Sequence, residues 1–208
     1  MCKPTIFQKT YKDYISQIEN INLKDISETI GGVVRNNEIE IPFFKKPYKI
    51  SSKGILNNLG DTADFSEAAI LSKYILLSPQ KPVIDNKLVS YPEFKDAGPL
   101  TKYFKDNAEE AIAKYFTNNL AGLKTAGKLL KGVECHTIDA AYDFKLKFNP
   151  LPRIPIYLLY NDEEKEEGFP AQSVMLFEKS ARTYLDEECL AILGTLLFNR
   201  LKQIGDTI

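Results

Sequence analysis

Carboxylates crowd one short stretch of this chain: Asp162, Glu163, Glu164, Glu166 and Glu167, broken only by Lys165. Carboxylates this close can supply oxygen ligands for a hard cation, or a general acid and base. They also raise one another's pKa, a condition that active sites exploit. The stretch lacks the alternating oxygen ligands and central glycine of a calcium loop, so a solvated loop tip is the competing reading. A second candidate is Tyr91-Pro-Glu-Phe94, where two aromatics fall in a polar connection and could frame a pocket rim, or else anchor the loop. The candidate ligand-binding set is therefore Tyr91, Phe94, Asp162, Glu163 and Glu167. No catalytic residue and no metal ligand is assigned.

Other arrangements are weaker. Cys135-His136 sets the single histidine beside a thiol, but neighbours on a strand point to opposite faces and cannot activate each other. Cys189 follows a presumed helix cap at Asp186, where the helix dipole favours a thiolate while Glu187 and Glu188 oppose it. Gly122 to Lys128 imitates a phosphate-binding loop. It carries Leu129 where a hydroxyl is required, and no strand precedes it, so a helix with two packing glycines is expected. Arg153 opens an apolar run whose far end meets the acids. Too distant to pair with them, it is expected to satisfy turn carbonyls or a helix C-terminus.

Elements that would position these groups can be read from hydrophobic period. Helices are predicted near residues 5–20 and Asp25–Ile30, the second stopped by Gly31-Gly32. Glu38 to Phe43 alternates as a strand. Lys45-Lys-Pro47 is expected to turn it into Tyr48–Ile50, with Pro42 at an edge or bulge. Asp64 to Glu67 has capping-box spacing ahead of a helix running to Pro79. Pro99 opens a helix whose predicted buried face is Leu100, Tyr103, Phe104, Ala108, Ala111, Ile112 and Tyr115. After Asn118-Asn119 a helix extends to about Leu130, closed by Gly132, and Val133–Thr137 reads as a strand. Tyr142–Phe148 and Ile154–Tyr160 read as a hairpin turned by Asn149 to Pro152. Two closing helices are predicted: one from Pro170 with Val174, Phe177, Ala181 and Tyr184 inward, the other from Asp186 through Ile204. The fold class is α+β, with a mixed, mainly antiparallel sheet of about five strands and helices packed on it, all in a single domain, 1–208.

Bulk properties exclude several classes. A net charge of −1 lacks the basic surplus of a dedicated nucleic-acid binder. No apolar run approaches the roughly 20 residues that cross a bilayer, and the N-terminal residues lack a signal peptide's apolar core. The expected setting is the cytoplasm. Cysteines at positions 2, 135 and 189 form no short-spaced pair, so no disulfide framework or self-contained cluster site is written locally.

Several segments together resemble the domain of unknown function 3786 family, an uncharacterised prokaryotic family found mainly in anaerobes. They include Gly31-Gly-Val-Val, Ile39 to Ile50, Ala69 to Leu77 and Val89 to Phe94. The most specific are Leu151-Pro-Arg-Ile-Pro155, Gly168-Phe-Pro-Ala171, Leu176 to Leu185 and Ala191-Ile-Leu-Gly194. Some relatives resemble fusions to cysteine-rich iron–sulfur segments, which implies service in anaerobic iron–sulfur or corrinoid-linked metabolism. The resemblance assigns no catalytic residue and no cofactor. It implies a ligand-binding or accessory protein, with a protein partner or small ligand. The alternatives are an enzyme using the loop carboxylates, with or without a divalent metal, and a self-associating module forming a homo-oligomer.

Overall fold

The computed structural model describes residues 6–136, 138 and 141–208; Cys2 and Thr137, both named above, lie outside that set. Helices α1 (Ile6–Glu19) and α2 (Leu23–Ile30) lead into a four-stranded sheet. Its strands β1 (Val33–Arg35), β2 (Glu38–Phe43), β3 (Lys46–Ser51) and β4 (Gly54–Leu56) form an antiparallel meander. Helix α3 (Phe65–Leu76) follows. A second sheet, in the order β5-β9-β8-β7-β6, is built from β5 (Leu88–Ser90), β6 (Val133–Glu134), β7 (Phe144–Leu151), β8 (Ile154–Asn161) and β9 (Gln172–Glu178). Every pairing in both sheets is antiparallel. The class is α+β, as expected, with the predicted strands divided between two sheets.

The β7–β8 hairpin pairs Phe144 with Tyr160 and Phe148 with Ile156, and its turn is tighter than predicted because β7 runs on through a bulge to Leu151. Arg153 behaves as its position suggested. Its guanidinium donates to the carbonyls of Thr29 and Glu28 at 2.9 and 2.8 Å, closing the C-terminus of α2. Gly31 there has φ +69°, and a Cβ would lie 2.7 Å from Pro152, so the helix end and the hairpin turn can meet only through glycine. Tyr74 from α3 completes this joint, its hydroxyl donating to the Ile30 carbonyl and accepting from the Arg153 N–H.

Four expectations need correction. Pro170 does not start a helix. Residues 172–178 are β9, paired along β8, with Ser173, Met175 and Phe177 buried in alternation. Apolar residues at both even and odd positions satisfy a helical and a strand period together, and the two neighbouring strands decide for the strand. Only the single turn α7 (Ala181–Tyr184) precedes the closing helix α8 (Glu187–Gly205), which Asp186 caps by accepting the Cys189 N–H.

The turn after β2 is Phe44-Lys45, not Lys45–Pro47, and both residues have positive φ. Such a turn normally selects Asn or Gly. Here the Phe44 N–H donates to the Pro150 carbonyl at 2.8 Å, and the Arg200 guanidinium lies 4.4 Å from its ring. Pro42 sits opposite Pro47, past the end of β1, where neither proline is asked for a ladder donor. The capping box at Asp64 is half formed: Asp64 accepts the Glu67 N–H, while the Glu67 carboxylate is taken by Arg200 at 2.6 Å.

The fourth correction bears on the site. The helix after Pro99 is not regular: α4 (Thr101–Phe104) and α5 (Glu110–Phe116) are separated by a π-helical turn, Lys105–Glu109. Its buried residues are Phe104, Ala108, Ile112 and Phe116, spaced four apart, together with Ala113; Tyr103 is exposed and Ala111 and Tyr115 only half-buried. In a straight α-helix that spacing drifts by roughly 40° per step; the widened turn absorbs the drift. Helix α6 (Leu120–Leu129) holds the glycines of the phosphate-loop imitation, where Gly122 donates to the Asn119 cap and Gly127 packs against Leu146. Strand β6 is shorter than predicted. One apolar cluster joins residues of both sheets with α3, α5 and α8.

Candidate functional site

Strand β5 pairs with only one end of β9, joining Leu88–Ser90 to Leu176–Glu178. Backbone groups alternate sides along a strand, and the Lys179 N–H, just beyond β9 and in phase with Phe177 and Met175, donates to the Lys87 carbonyl on the β5 side. Met175 therefore points its N–H past the place where β5 stops. Glu109 meets it there: Oε1 accepts the Met175 N–H at 2.9 Å, and the Glu109 carbonyl accepts from Ser173 Oγ at 2.6 Å. The extra residue of the π-turn carries Glu109 round to this edge. Phe104, one turn earlier, is stacked on Tyr91 at 4.3 Å and fixes the turn from below. Gly194 of α8 permits that approach, since a Cβ there would lie 2.4 Å from the Phe104 ring.

Between the helix and the unpaired half of β9 lies a cleft of about 730 Å³. Ala113 of α5, Ala171 and Val174 of the β9 side, Pro92 and Pro170 give it apolar surface, and Lys105, Lys114, Thr117 and Gln172 line it as well. Three carboxylates reach it: Glu109, Glu110 and Glu163. Glu110 is paired, with Lys114 at 2.9 Å and Lys105 at 3.9 Å. Glu163 accepts from the Asn118 amide at 2.7 Å, with Lys165 at 3.9 Å. Glu109 has no lysine, arginine or histidine nitrogen within 4.0 Å among the described residues. Burial raises its pKa above the ordinary glutamate value, offset in part by the Met175 N–H and by Lys105, while Glu110 adds to the rise.

The residues singled out from sequence divide. Glu163 is on the cleft wall. Asp162 holds the α5–α6 joint, where Oδ1 accepts the N–H of Asn118 at 2.7 Å and so fixes that residue's left-handed backbone, φ 57°. Glu167 is exposed in the turn between β8 and β9, which the bridge Glu164–Phe169 closes. Tyr91 and Phe94 are buried. The Tyr91 hydroxyl donates to the Glu187 carbonyl at 2.9 Å, and burial with the nearby acids Glu187, Asp186 and Glu188 pushes it up to about 12. These two rings anchor the loop whose neighbouring Ser90 and Pro92 line the cleft. The real capping box of the region is here, with the Glu93 carboxylate accepting from both the N–H and the hydroxyl of Ser90.

Glu109 was missed because Lys105, Glu109, Glu110 and Lys114 read as a solvated helix face. The trace it left is the spacing of four between Phe104, Ala108, Ile112 and Phe116, which drifts steadily round a regular α-helix. Elsewhere, Cys189 is buried, and desolvation together with Asp186 pushes its thiol up, away from thiolate chemistry. Cys135 is buried and His136 exposed, both just past the end of β6. No group of three or more His, Cys, Asp or Glu among the described residues is arranged to hold a metal ion. No helix among them is long and apolar enough to cross a membrane.

Fold and cleft together define an α+β domain with a lateral pocket at the unpaired half of a sheet edge. The chain belongs to the family described as Domain of unknown function (DUF3786), whose model matches residues 22–200. No curated protein and no solved structure matches it.

Proposed function

We propose that this protein is a small-molecule-binding domain whose ligand sits in the cleft between the π-turn and β9. The observation that carries this reading is the half-buried Glu109 carboxylate, held in the cleft by the backbone of the facing wall. A concave site of a few hundred cubic ångströms with apolar contact surface and fixed polar groups is the usual anatomy of a small-ligand site. A carboxylate whose pKa burial has raised adds weight, because such groups concentrate at functional positions. The loop acids support an enzyme reading less well, since Asp162 and Glu163 are engaged by Asn118 and Glu167 projects outward. An accessory role in anaerobic iron–sulfur or corrinoid-linked metabolism, and a cytoplasmic setting, belong to the same proposal and rest on the family resemblance.

The test is a fragment screen on the full chain, read by two-dimensional amide NMR. Hits that perturb the Ser173, Met175 and Ala113 amides together are the expected result. Hits scattered over the surface, or centred on another region, would contradict the reading.

A further inference from the structure

We infer that the ligand of this cleft carries an ammonium group on a short apolar body, and that the ammonium docks on Glu109. The inference rests on the small-molecule reading above and adds the chemical class. It follows from a count of partners: Glu110 has two lysines beside it, and Glu163 has Asn118 and Lys165. Glu109, the carboxylate in contact with the opposite wall, has one backbone N–H on Oε1 and no cation within 4.0 Å among the described residues.

A carboxylate with two oxygens accepts several hydrogen bonds, and one taken partly out of water needs charge as well as donors. The Met175 N–H supplies a donor but no net charge. Lys105, one turn before Glu109, is directed at Glu110. The facing strand contributes Ser173, Val174 and Met175, none of them charged, and the two lysines of the cleft, Lys105 and Lys114, are paired with Glu110 and act on Glu109 only from beyond 4.0 Å, so a cation in direct contact with Glu109 has to come from the ligand. An ammonium satisfies that need with up to three donors. A divalent metal would need more oxygen ligands than Glu109 brings to that point. Nearby, Ala113, Val174 and Pro92 offer contact to an aliphatic or aromatic body, while Ser90, Thr117 and Gln172 stand elsewhere along the cleft.

The experiment compares matched probes on the intact chain by amide NMR titration: benzylamine and n-butylamine against benzyl alcohol and butyrate. The amines should move the Met175 and Ser173 amides and bind at least about tenfold more tightly than the alcohol and the carboxylate. The substitution Glu109→Gln keeps an oxygen for the Met175 N–H but removes the charge. It should abolish that preference, bringing amine affinity down to that of benzyl alcohol. If alcohol or butyrate binds the cleft as well as the amines do, the ammonium assignment falls and the small-molecule reading stands. The assignment also falls if Glu109→Gln leaves amine affinity unaltered. If none of the four probes perturbs the cleft, both fall. Because the wild-type probe comparison needs no variant, the test survives a substitution that fails to fold.

Discussion

Two regions of the molecule place charge where water is scarce, and they complete it differently. At the joint between α2 and the β7–β8 turn, Arg153 meets two helix-end carbonyls, and the Tyr74 hydroxyl both donates and accepts. Each polar group there ends on a partner from the same chain. At the cleft, Glu109 ends on one backbone N–H, with no cation of the described residues within 4.0 Å of its carboxylate. Groups that only hold a fold are satisfied within it, whereas a group that serves a ligand keeps part of its valence for the ligand.

The contrast is sharpest in stability. Replacing Arg153 by Ala strips two carbonyls of charge-assisted donors and should destabilise the fold by about 2–4 kcal/mol in urea denaturation. Tyr74→Phe keeps the ring but orphans the Ile30 carbonyl and the Arg153 N–H, and about 1–3 kcal/mol is expected from the same measurement. Glu109→Gln should cost less than about 1 kcal/mol near neutral pH, because the amide oxygen still caps Met175. A loss as large as that of Arg153→Ala would make Glu109 a structural group and erase the contrast. Lys114→Ala, which breaks an exposed helical pair with Glu110, should change stability by under about 0.5 kcal/mol.

The pH dependence separates the regions further. Burial holds the Glu109 pKa above its ordinary 4.5 in the fold, with Glu110 adding to the rise and Lys105 and the Met175 N–H opposing it. The folded state therefore holds a proton that the unfolded chain has released. Stability contributed by this group is present at low pH and is lost as the pH rises through the folded value. Relative to Glu109→Gln, the wild type should lose stability on going upward from about pH 4.5, as read by denaturant titrations of both proteins. A flat difference would mean that the carboxyl titrates normally.

Much of the frame was legible in the residues. The β7–β8 hairpin announced itself through the strict alternation of its first strand and the apolar run of its second, and Arg153 was left with turn carbonyls or a helix C-terminus because strand rise put the acids out of its reach. Strand β9 was not legible, since its run of apolar residues fits two periods and only pairing with β8 chooses between them. The two rings of the Tyr91–Phe94 loop were open to two readings, a pocket rim or a loop anchor. They are buried, and their effect on the cleft comes through Ser90 and Pro92. Glu109 was hidden by its charged neighbours. A widened helical turn has no residue signature of its own; it shows only in the spacing of Phe104, Ala108, Ile112 and Phe116, which needs the buried set to be known.

The most direct measurement is a carbon-13 titration of the Glu109 carboxyl, alone and with saturating benzylamine. The account predicts a pKa above the ordinary glutamate value in the free protein, falling when the amine is bound because the ammonium stabilises the charged form. A carboxyl that titrates normally when free, or whose pKa does not move with the amine, would contradict it.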